Sequence, residues 1–398
     1  MTDTLRRRFA RKLPGLGWRI DLLQKRETQL KKLRAEVRVR DRKVTELQES
    51  VRRERASRKR AQERLAVDRP ELGDSTPPSF RRNLINLRRD VELLRTIDRD
   101  VYHPVLQIPR KLRNYRLAAS HGIAVPEVLG VWGDLEDLDL SGMPERFVLK
   151  SELGAGGHGV FPLRRLDHDR FALIGGGTGH TRESLIEAYR AKASTFGPWF
   201  AEGFLVQRQA GEEIPDDIKI YANYGQATMV LLRRMARHAD LGSARYRYVD
   251  GHGTDLGPDI SPSQKIDPTI PLPEPFDEFI KVAEHLSRAM AVPFIRVDIY
   301  DTVDGPVLGE LTRAPGGRQR YRRDQDIAMG LAWDEAKWRL DMDVINGRPL
   351  RNLHGLHQSR NYYPEDHLSH SDDPKGWEVL RADCSTWCFG GALPLARD

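Results

Sequence analysis

Between Trp18 and Arg69 the sequence holds neither Pro nor Gly, and an apolar residue returns at every seventh position. Leu23, Leu30, Val37, Val44, Val51 and Leu65 mark one seam, with Arg58 its single gap. Leu33, Leu47 and Ala61 fill half of a companion seam, and Arg26, Arg40 and Glu54 occupy its other positions. A helix keeps a seven-residue repeat facing one way only by winding left-handed around a partner. The pattern predicts a coiled coil of about 40 residues, with β-branched first-seam positions that favour a parallel dimer. The polar second seam leaves a single solvated helix, or a helix packed on the body, as the alternative.

Charge separates this arm from the rest of the chain. Residues 1–70 hold 23 Lys/Arg against 10 Asp/Glu, net +13, whereas the whole 398-residue chain is +7, so the remainder carries −6. A basic arm is joined to a mildly acidic body. Ahead of the heptads, Leu5, Phe9, Leu13, Leu16, Trp18 and Ile20 interleave with Arg6, Arg7, Arg8, Arg11, Lys12 and Arg19. That mixture fits an anionic membrane surface or a basic tail without fixed structure. Nucleic acid is the poorer match, because Phe9 and Trp18 are the arm's only aromatics. No apolar stretch follows the basic start, so no secretory signal is expected. No run of about 18 apolar residues is present for a membrane span. Two cysteines, Cys384 and Cys388, are too few for a disulfide framework. A reducing, cytoplasmic location is expected, with peripheral contact at the inner membrane face through the arm.

The stretch from Pro70 to Pro78 breaks the helix and reads as a linker. Beyond it the texture is mixed α/β, and 39% hydrophobic residues with 33 Gly over 398 positions suffice for two or three units with real cores. Residues 80–122 read as helices, the last stopping at Gly122. Strands are predicted over 127–132, 146–150, 159–164, 170–174 and 204–209. A hairpin is predicted over 217–222 and 227–233, and a final pair over 294–300 and 307–312. Further helices are predicted over 181–194 and 275–290.

Three segments carry chemistry. In the first, Phe147-Val-Leu-Lys150 leads into Gly154, Gly156, Gly157, His158 and Gly159. Glycines let backbone amides approach a phosphate closely, and the lysine adds a mobile positive charge. An ordinary hairpin turn is the alternative. No Gly-Lys-Ser/Thr follows and no helix opens directly behind, so neither a Walker loop nor a dinucleotide-binding turn is present. In the second, Lys219 shares a strand face with Asp217 and Tyr221 by alternation, which on its own describes a solvated face. In the third, Arg296, Asp298 and Tyr300 alternate onto one face, and a tight turn returns Glu310 and Thr312 beside them. Two carboxylates with an arginine nearby suit Mg²⁺ bridging phosphates. A surface ladder of Arg, Asp and Glu is the alternative, disfavoured by the apolar flanks 292–295 and 307–308. His354, His357, His367, His370, Cys384 and Cys388 lack paired zinc spacing and read as structural.

In their order and spacing these segments resemble the ATP-grasp superfamily. Val131-Trp132, Asp134-Leu-Glu-Asp-Leu138, Met143-Pro-Glu-Arg-Phe-Val-Leu-Lys150, Asp217-Ile-Lys219 and Gly309-Glu-Leu-Thr312 before Pro315-Gly-Gly317 are similar to its TupA-like branch, named for teichuronopeptide synthesis. The likeness runs from about Leu106 to Trp333. It implies an α+β fold of two lobes gripping ATP. It also implies Mg²⁺ and an ATP-dependent carboxylate–amine ligase that makes an acyl phosphate for an amine to attack. Lys111 and Lys150 would bind phosphates, under the glycine loop of residues 154–159. The backbone of Val206, Gln207 and Arg208 would meet adenine, and Glu212 or Glu213 the ribose. Asp298, Glu310 and Thr312 would hold Mg²⁺, while Arg296 and Lys219 stabilise the transferring phosphoryl group. Thr312 stands where many relatives have Asn, Gln207 where Glu is usual, and His158 where a small polar residue is usual. The implied domains are a basic segment and coiled coil over 1–69, a linker and helix over 70–100, an ATP-grasp-like catalytic domain over 101–350 and a C-terminal extension over 351–398. The implied acceptor is a cell-envelope or capsular polysaccharide or a peptide precursor. A kinase or transferase on the same fold, and a non-catalytic coiled-coil scaffold, are the alternatives. Lys150 is expected to serve phosphate binding and to matter little for folding.

Overall fold

The computed structural model describes residues 17–67, 76–97, 102–154, 159–176, 179–192, 195–209, 213–238, 240–316, 320–367, 370 and 379–388. The basic stretch 1–16, most of the linker, and Gly156, Gly157, His158 and Glu212 lie outside the described residues. Contacts divide the chain into two units, at Thr76 and Pro77. The described part of the first holds one long helix, α1 (Gly17–Val67), over most of the Pro- and Gly-free run. Its seam residues Leu23, Leu30, Leu33, Val37, Val44 and Leu47 are 51–65% exposed.

The second unit is built on two antiparallel sheets. One comprises β1 (Val128–Trp132), β2 (Arg146–Leu153), β3 (Val160–Arg165), β4 (Arg170–Leu173), β5 (Gly179–Thr181) and β6 (Phe196–Gly203), in the order β1-β6-β2-β3-β4-β5. The other comprises β7 (Asp217–Ala222), β8 (Ala227–Arg234), β9 (Arg245–Val249), β10 (Ile295–Thr302) and β11 (Gly305–Thr312), in the order β11-β10-β7-β8-β9. Helices α2 (Phe80–Ile97), α3 (Pro104–Gln107), α4 (Lys111–Ser120), α5 (Arg182–Arg190), α6 (Phe276–Ala289), α7 (Arg323–Ile345) and α8 (Cys384–Trp387) surround them, with a short parallel pair β12 (Leu353–His354) and β13 (Leu380–Arg381).

Strand β6 lies earlier than the strand predicted over 204–209. Its Gly197-Pro198 looks strand-breaking in sequence. The pair falls where the β2 register slips between Ser151 and Leu153, a bulge that asks no ladder bond of the proline. Helix α7, which carries no amphipathic signal in the sequence, has apolar residues all round. Met329, Trp333, Ala336 and Leu340 are buried, while Leu331, Trp338, Met342 and Ile345 are exposed. The 223–226 turn forms as expected, with Tyr224 and Gly225 both at positive φ and Asn223 N donating to Gln226 O at 2.7 Å.

The two faces of the second sheet have different occupants. Ile218, Ile220, Val230, Leu232, Ile295, Val297 and Ile299 pack with Phe279, Ala283 and Leu286 of α6 in the larger core. On the opposite face, Tyr221, Met229, Leu231 and Tyr248 pack with Phe80 and Leu84 of α2 and with Met329 and Trp333 of α7. That cluster covers part of the face. By alternation the rest carries Asp217, Lys219, Arg233, Arg296, Asp298 and Glu310. The first sheet buries Phe147, Leu149, Leu163, Phe171 and Ala201 with Leu185, Ile186 and Tyr189 of α5.

Past the C-terminus of α4, two buried histidines meet: His285 Nε2 lies 2.9 Å from His121 Nδ1, and His121 Nε2 lies 2.8 Å from Leu353 O. Burial pulls His121 from 6.5 down to about 4. Burial, aided by His121, pulls His285 down to about 3. The folded pKa values lie below the unfolded one, so between pH 6.5 and about 4 the unfolded chain binds protons that the fold refuses. Stability is therefore intact above pH 6.5 and is lost as pH falls toward the folded values. Urea unfolding should show that loss shallower in His285→Gln by about 1.4 kcal/mol per pH unit across this window. Parallel curves for the two proteins would remove the pair from the acid response.

Candidate functional site

Strands β7, β10 and β11 lay their alternate side chains into one charge web. Arg296 donates from Nε to Asp298 Oδ1 at 2.6 Å and from Nη2 to Oδ2 at 2.7 Å. Lys219 Nζ donates to the same Oδ2 at 2.6 Å, and Arg296 Nη2 also reaches Thr312 Oγ1 at 3.1 Å. Burial by itself raises the Asp298 carboxyl, but Arg296 and then Lys219 outweigh it and hold the group below the ordinary carboxylate range. Asp217 sits 3.3 Å from Lys219 and pairs with Arg233. These cations likewise overcome burial and lower it.

Asp298 stands opposite Glu310 in register, and the next pairing joins Ile299 to Leu308. Gly309 is thus one extra residue, a bulge in β11. A Cβ there would lie 2.6 Å from Tyr300 Cε2, so the tyrosine ring fills the space a side chain needs. Glu310 is the open carboxylate of the pair, its side chain 36% exposed and 3.9 Å from Lys111 Nζ.

The first sheet brings its own cations. Lys150 and Glu202 share the face turned away from the α5 core, and Lys150 Nζ pairs with Glu202 Oε1. The Tyr115 hydroxyl donates to Glu202 Oε2 at 2.8 Å, accepts from Lys150 Nζ at 3.3 Å, and lies 3.2 Å from Gly309 O. Burial, then the Glu202 charge, drives that hydroxyl well above the usual tyrosine range. One phenol thereby touches β6 of one sheet and the β11 bulge of the other. Lys111, first residue of α4 and 5% exposed, donates to Ser151 O, Glu152 O and Gly154 O at 3.2–3.4 Å. Its head is fixed at the mouth of the glycine loop. Gly159, which closes that loop at φ +80°, has room for no Cβ: Thr195 Cγ2 would be 2.7 Å away.

The stretch predicted as a strand over 204–209 is irregular. Val206 is exposed, Gln207 makes an isolated bridge to Thr302, and Arg208 N donates to Asp301 O at 2.9 Å. Gln207 Oε1 accepts from Asp216 N at 2.8 Å, and its buried Nε2 has no partner among the described residues. Glu213 pairs with Arg164 at 3.6 Å, both half-exposed. The geometry therefore joins Lys111, Lys150, Lys219, Arg296, Asp298, Glu310 and Thr312 through direct contacts, register pairs or Tyr115. Val206, Gln207, Arg208 and Glu213 stand apart from that web. Sequence reasoning missed Tyr115 and Glu202. Tyr115 was detectable as the residue four past Lys111 on one helix face. Glu202 was hidden because the strand carrying it was placed too late.

The oxygen donors Asp298, Glu310 and Thr312 are of the kind hard divalent cations prefer. Among the described residues no group of three or more His, Cys, Asp or Glu assembles as a metal site.

The sequence profile of the TupA-like ATPgrasp family matches residues 92–332. No curated protein matches the chain. Among solved structures, D-alanine--D-alanine ligase from Bacillus anthracis is similar at 15% identity and a TM-score of 0.37, over 60% of this chain and 69% of that one. A RimK domain ATP-grasp protein from Sphaerobacter thermophilus is similar at 16% identity and 0.34, over 57% and 67%. The ATP-grasp ligase PsnB, solved with Mg and ADP, is similar at 17% identity and 0.34, over 60% of each.

The Lys150–Glu202 pair alters what is expected of Lys150. Its removal strands a carboxylate that is 2% exposed, and breaking such a pair costs about 3–5 kcal/mol. Urea unfolding should place Lys150→Met that far below the wild type, with most of the loss restored in Lys150→Met/Glu202→Leu. A single variant of wild-type stability would rule the pair out as a folding contact.

Proposed function

The chain belongs to the TupA-like ATP-grasp family, and on that premise we propose that it is an ATP-dependent carboxylate–amine ligase acting through an acyl phosphate. The observation that carries the reading is the convergence of three basic side chains, Lys219 of β7, Arg296 of β10 and Lys111 of α4, on the Asp298–Glu310 pair, with Lys150 linked to it through Tyr115. Phosphoryl transfer needs positioning and charge neutralisation more than covalent help, and this cluster offers both. ATP is the phosphoryl donor and Mg²⁺ the cofactor. Lys111 and Lys150 would hold its phosphates beneath the glycine loop. The buried Nε2 of Gln207, without a partner among the described residues, is a donor that adenine would satisfy. Val206 and Arg208 would add backbone contacts, and Glu213 or Glu212 would take the ribose.

Asp298, Glu310 and Thr312 would hold Mg²⁺, which supplies neutralisation of phosphate oxygens. Arg296 and Lys219, now shared on Asp298, would stabilise charge on the transferring group. The substrate carboxylate oxygen bonds to the γ-phosphorus as the bond to ADP breaks. The amine nitrogen then bonds to the acyl carbon, phosphate leaves, and the amine loses a proton. The acceptor in this reading is a cell-envelope or capsular polysaccharide or peptide precursor receiving an amino acid. The exposed seam of α1 suits a second copy of the chain in a parallel coiled coil, and the basic arm suits peripheral contact with an anionic membrane. No described helix is long and apolar enough to cross a membrane.

ADP release should require Mg²⁺, a carboxylic acid and an amine together; ADP from one substrate alone would indicate a kinase, and no turnover with any acid–amine set would sink the enzyme reading. Glu310→Gln should abolish that release while stability stays within about 1 kcal/mol, because the side chain is part-exposed and its one ion pair is long. Wild-type turnover in this variant would remove Glu310 from the metal set. Deleting residues 1–76 should turn a dimer into a monomer by light scattering and leave Mg-ATP binding unchanged. An unaltered oligomer would reject the coiled coil.

A further inference from the structure

We infer that Tyr363, in the C-terminal segment beyond the family match, is a positioning residue for the Lys111 end of α4 and acts through the carboxylate of Glu152. Only its consequence for nucleotide binding rests on the ligase reading. Helix α4 has no side-chain cap of its own: Arg110 holds the N-cap position without a capping hydrogen bond. The first amides of a helix must then find partners elsewhere. Glu152, fully buried at the end of β2, provides one, its Oε2 accepting from Leu112 N at 3.1 Å. A carboxylate there also suits the positive end of the helix. The same residue's carbonyl accepts from Lys111 Nζ at 3.2 Å, so Glu152 holds both the helix start and the lysine head.

The other carboxylate oxygen, Oε1, accepts from the Tyr363 hydroxyl. Burial raises the Glu152 carboxyl, and the Tyr363 and Leu112 hydrogen bonds work against that rise. Tyr363 itself is 4% exposed and packs with Leu112, Tyr115 and Phe200. Its own segment fixes it: Tyr363 N donates to Asn361 Oδ1 at 3.3 Å, and His370 Nδ1 lies 2.8 Å from Tyr363 O. The same segment grips the far end of α4, where His357 N donates to Ser120 O and Gly355 N to Ser120 Oγ, both at 2.9 Å. A strap outside the matched region therefore holds the helix that carries Lys111 and Tyr115 at both ends.

Phe at position 363 would satisfy packing but not the buried oxygen. In Tyr363→Phe, hydrogen exchange at Leu112 should speed up about tenfold, confined to residues 111–115 and 151–154, and Mg-ATP should bind about tenfold more weakly by calorimetry. Glu152→Gln should match it, and the double variant should be no worse than either single one. Leu112 exchange unchanged in Tyr363→Phe, exchange raised evenly across the fold, or a variant that does not fold would each overturn the inference. A wild type that binds no Mg-ATP would bring down the ligase reading, while the exchange measurement still decides Tyr363.

Discussion

Charge buried between two sheets has to be balanced where it lies, and that constraint organises the centre of this protein. Lys219 and Arg296 close on Asp298, Asp217 closes on Lys219 and Arg233, and Lys150 closes on Glu202. The proposed phosphate-binding or catalytic cations Lys150, Lys219 and Arg296 are thus also folding contacts. Glu310 differs: its half-buried carboxylate has, among the described residues, a long pair to Lys111. It is the member of the web that chemistry can use at least cost to the fold.

The supporting architecture follows from how one sheet face is shared. Aromatic and apolar residues from α2 and α7 seal part of the face opposite α6, and the charge web occupies what remains. Arg296 and Tyr221 are register partners across β10 and β7, so the boundary between sealed and charged surface falls within a single pair of strands. Helix α4 then joins this sheet to the other through Tyr115. The charge web thus stands on strands and the start of one helix rather than on loops.

The parts of this arrangement legible in the sequence are those set by local pattern. Strand alternation correctly put Lys219 with Asp217, and Arg296 with Asp298, because a period of two needs no knowledge of partners. The 304–305 and 223–226 turns were legible from their glycines. What escaped was decided by tertiary context. Gly197-Pro198 reads as a break, yet it sits in β6 at a register slip against β2. Helix α7 packs in two directions at once and so has no single apolar stripe. The pairing of Lys150 with Glu202 links two strands 52 positions apart, and no local signal announces it. The glycine-loop residues Gly156, Gly157 and His158 and the ribose candidate Glu212 lie outside the described residues, so their placement rests on the sequence alone.

The bulge at Gly309 has a consequence for how this chain can vary. Leu308 and Leu311 both belong to the apolar core, although residues three apart in a regular strand face opposite ways. The extra residue reverses odd and even between them and so allows Glu310 to stand beside Asp298. Deleting it would leave each neighbour's identity untouched. It would nonetheless force a choice between turning Leu308 toward the charges and turning Glu310 into the core. Single-residue deletions between positions 307 and 312 should therefore be lost from functional variants far more often than substitutions there, since the count of residues, more than their kind, keeps the acid on the charged side.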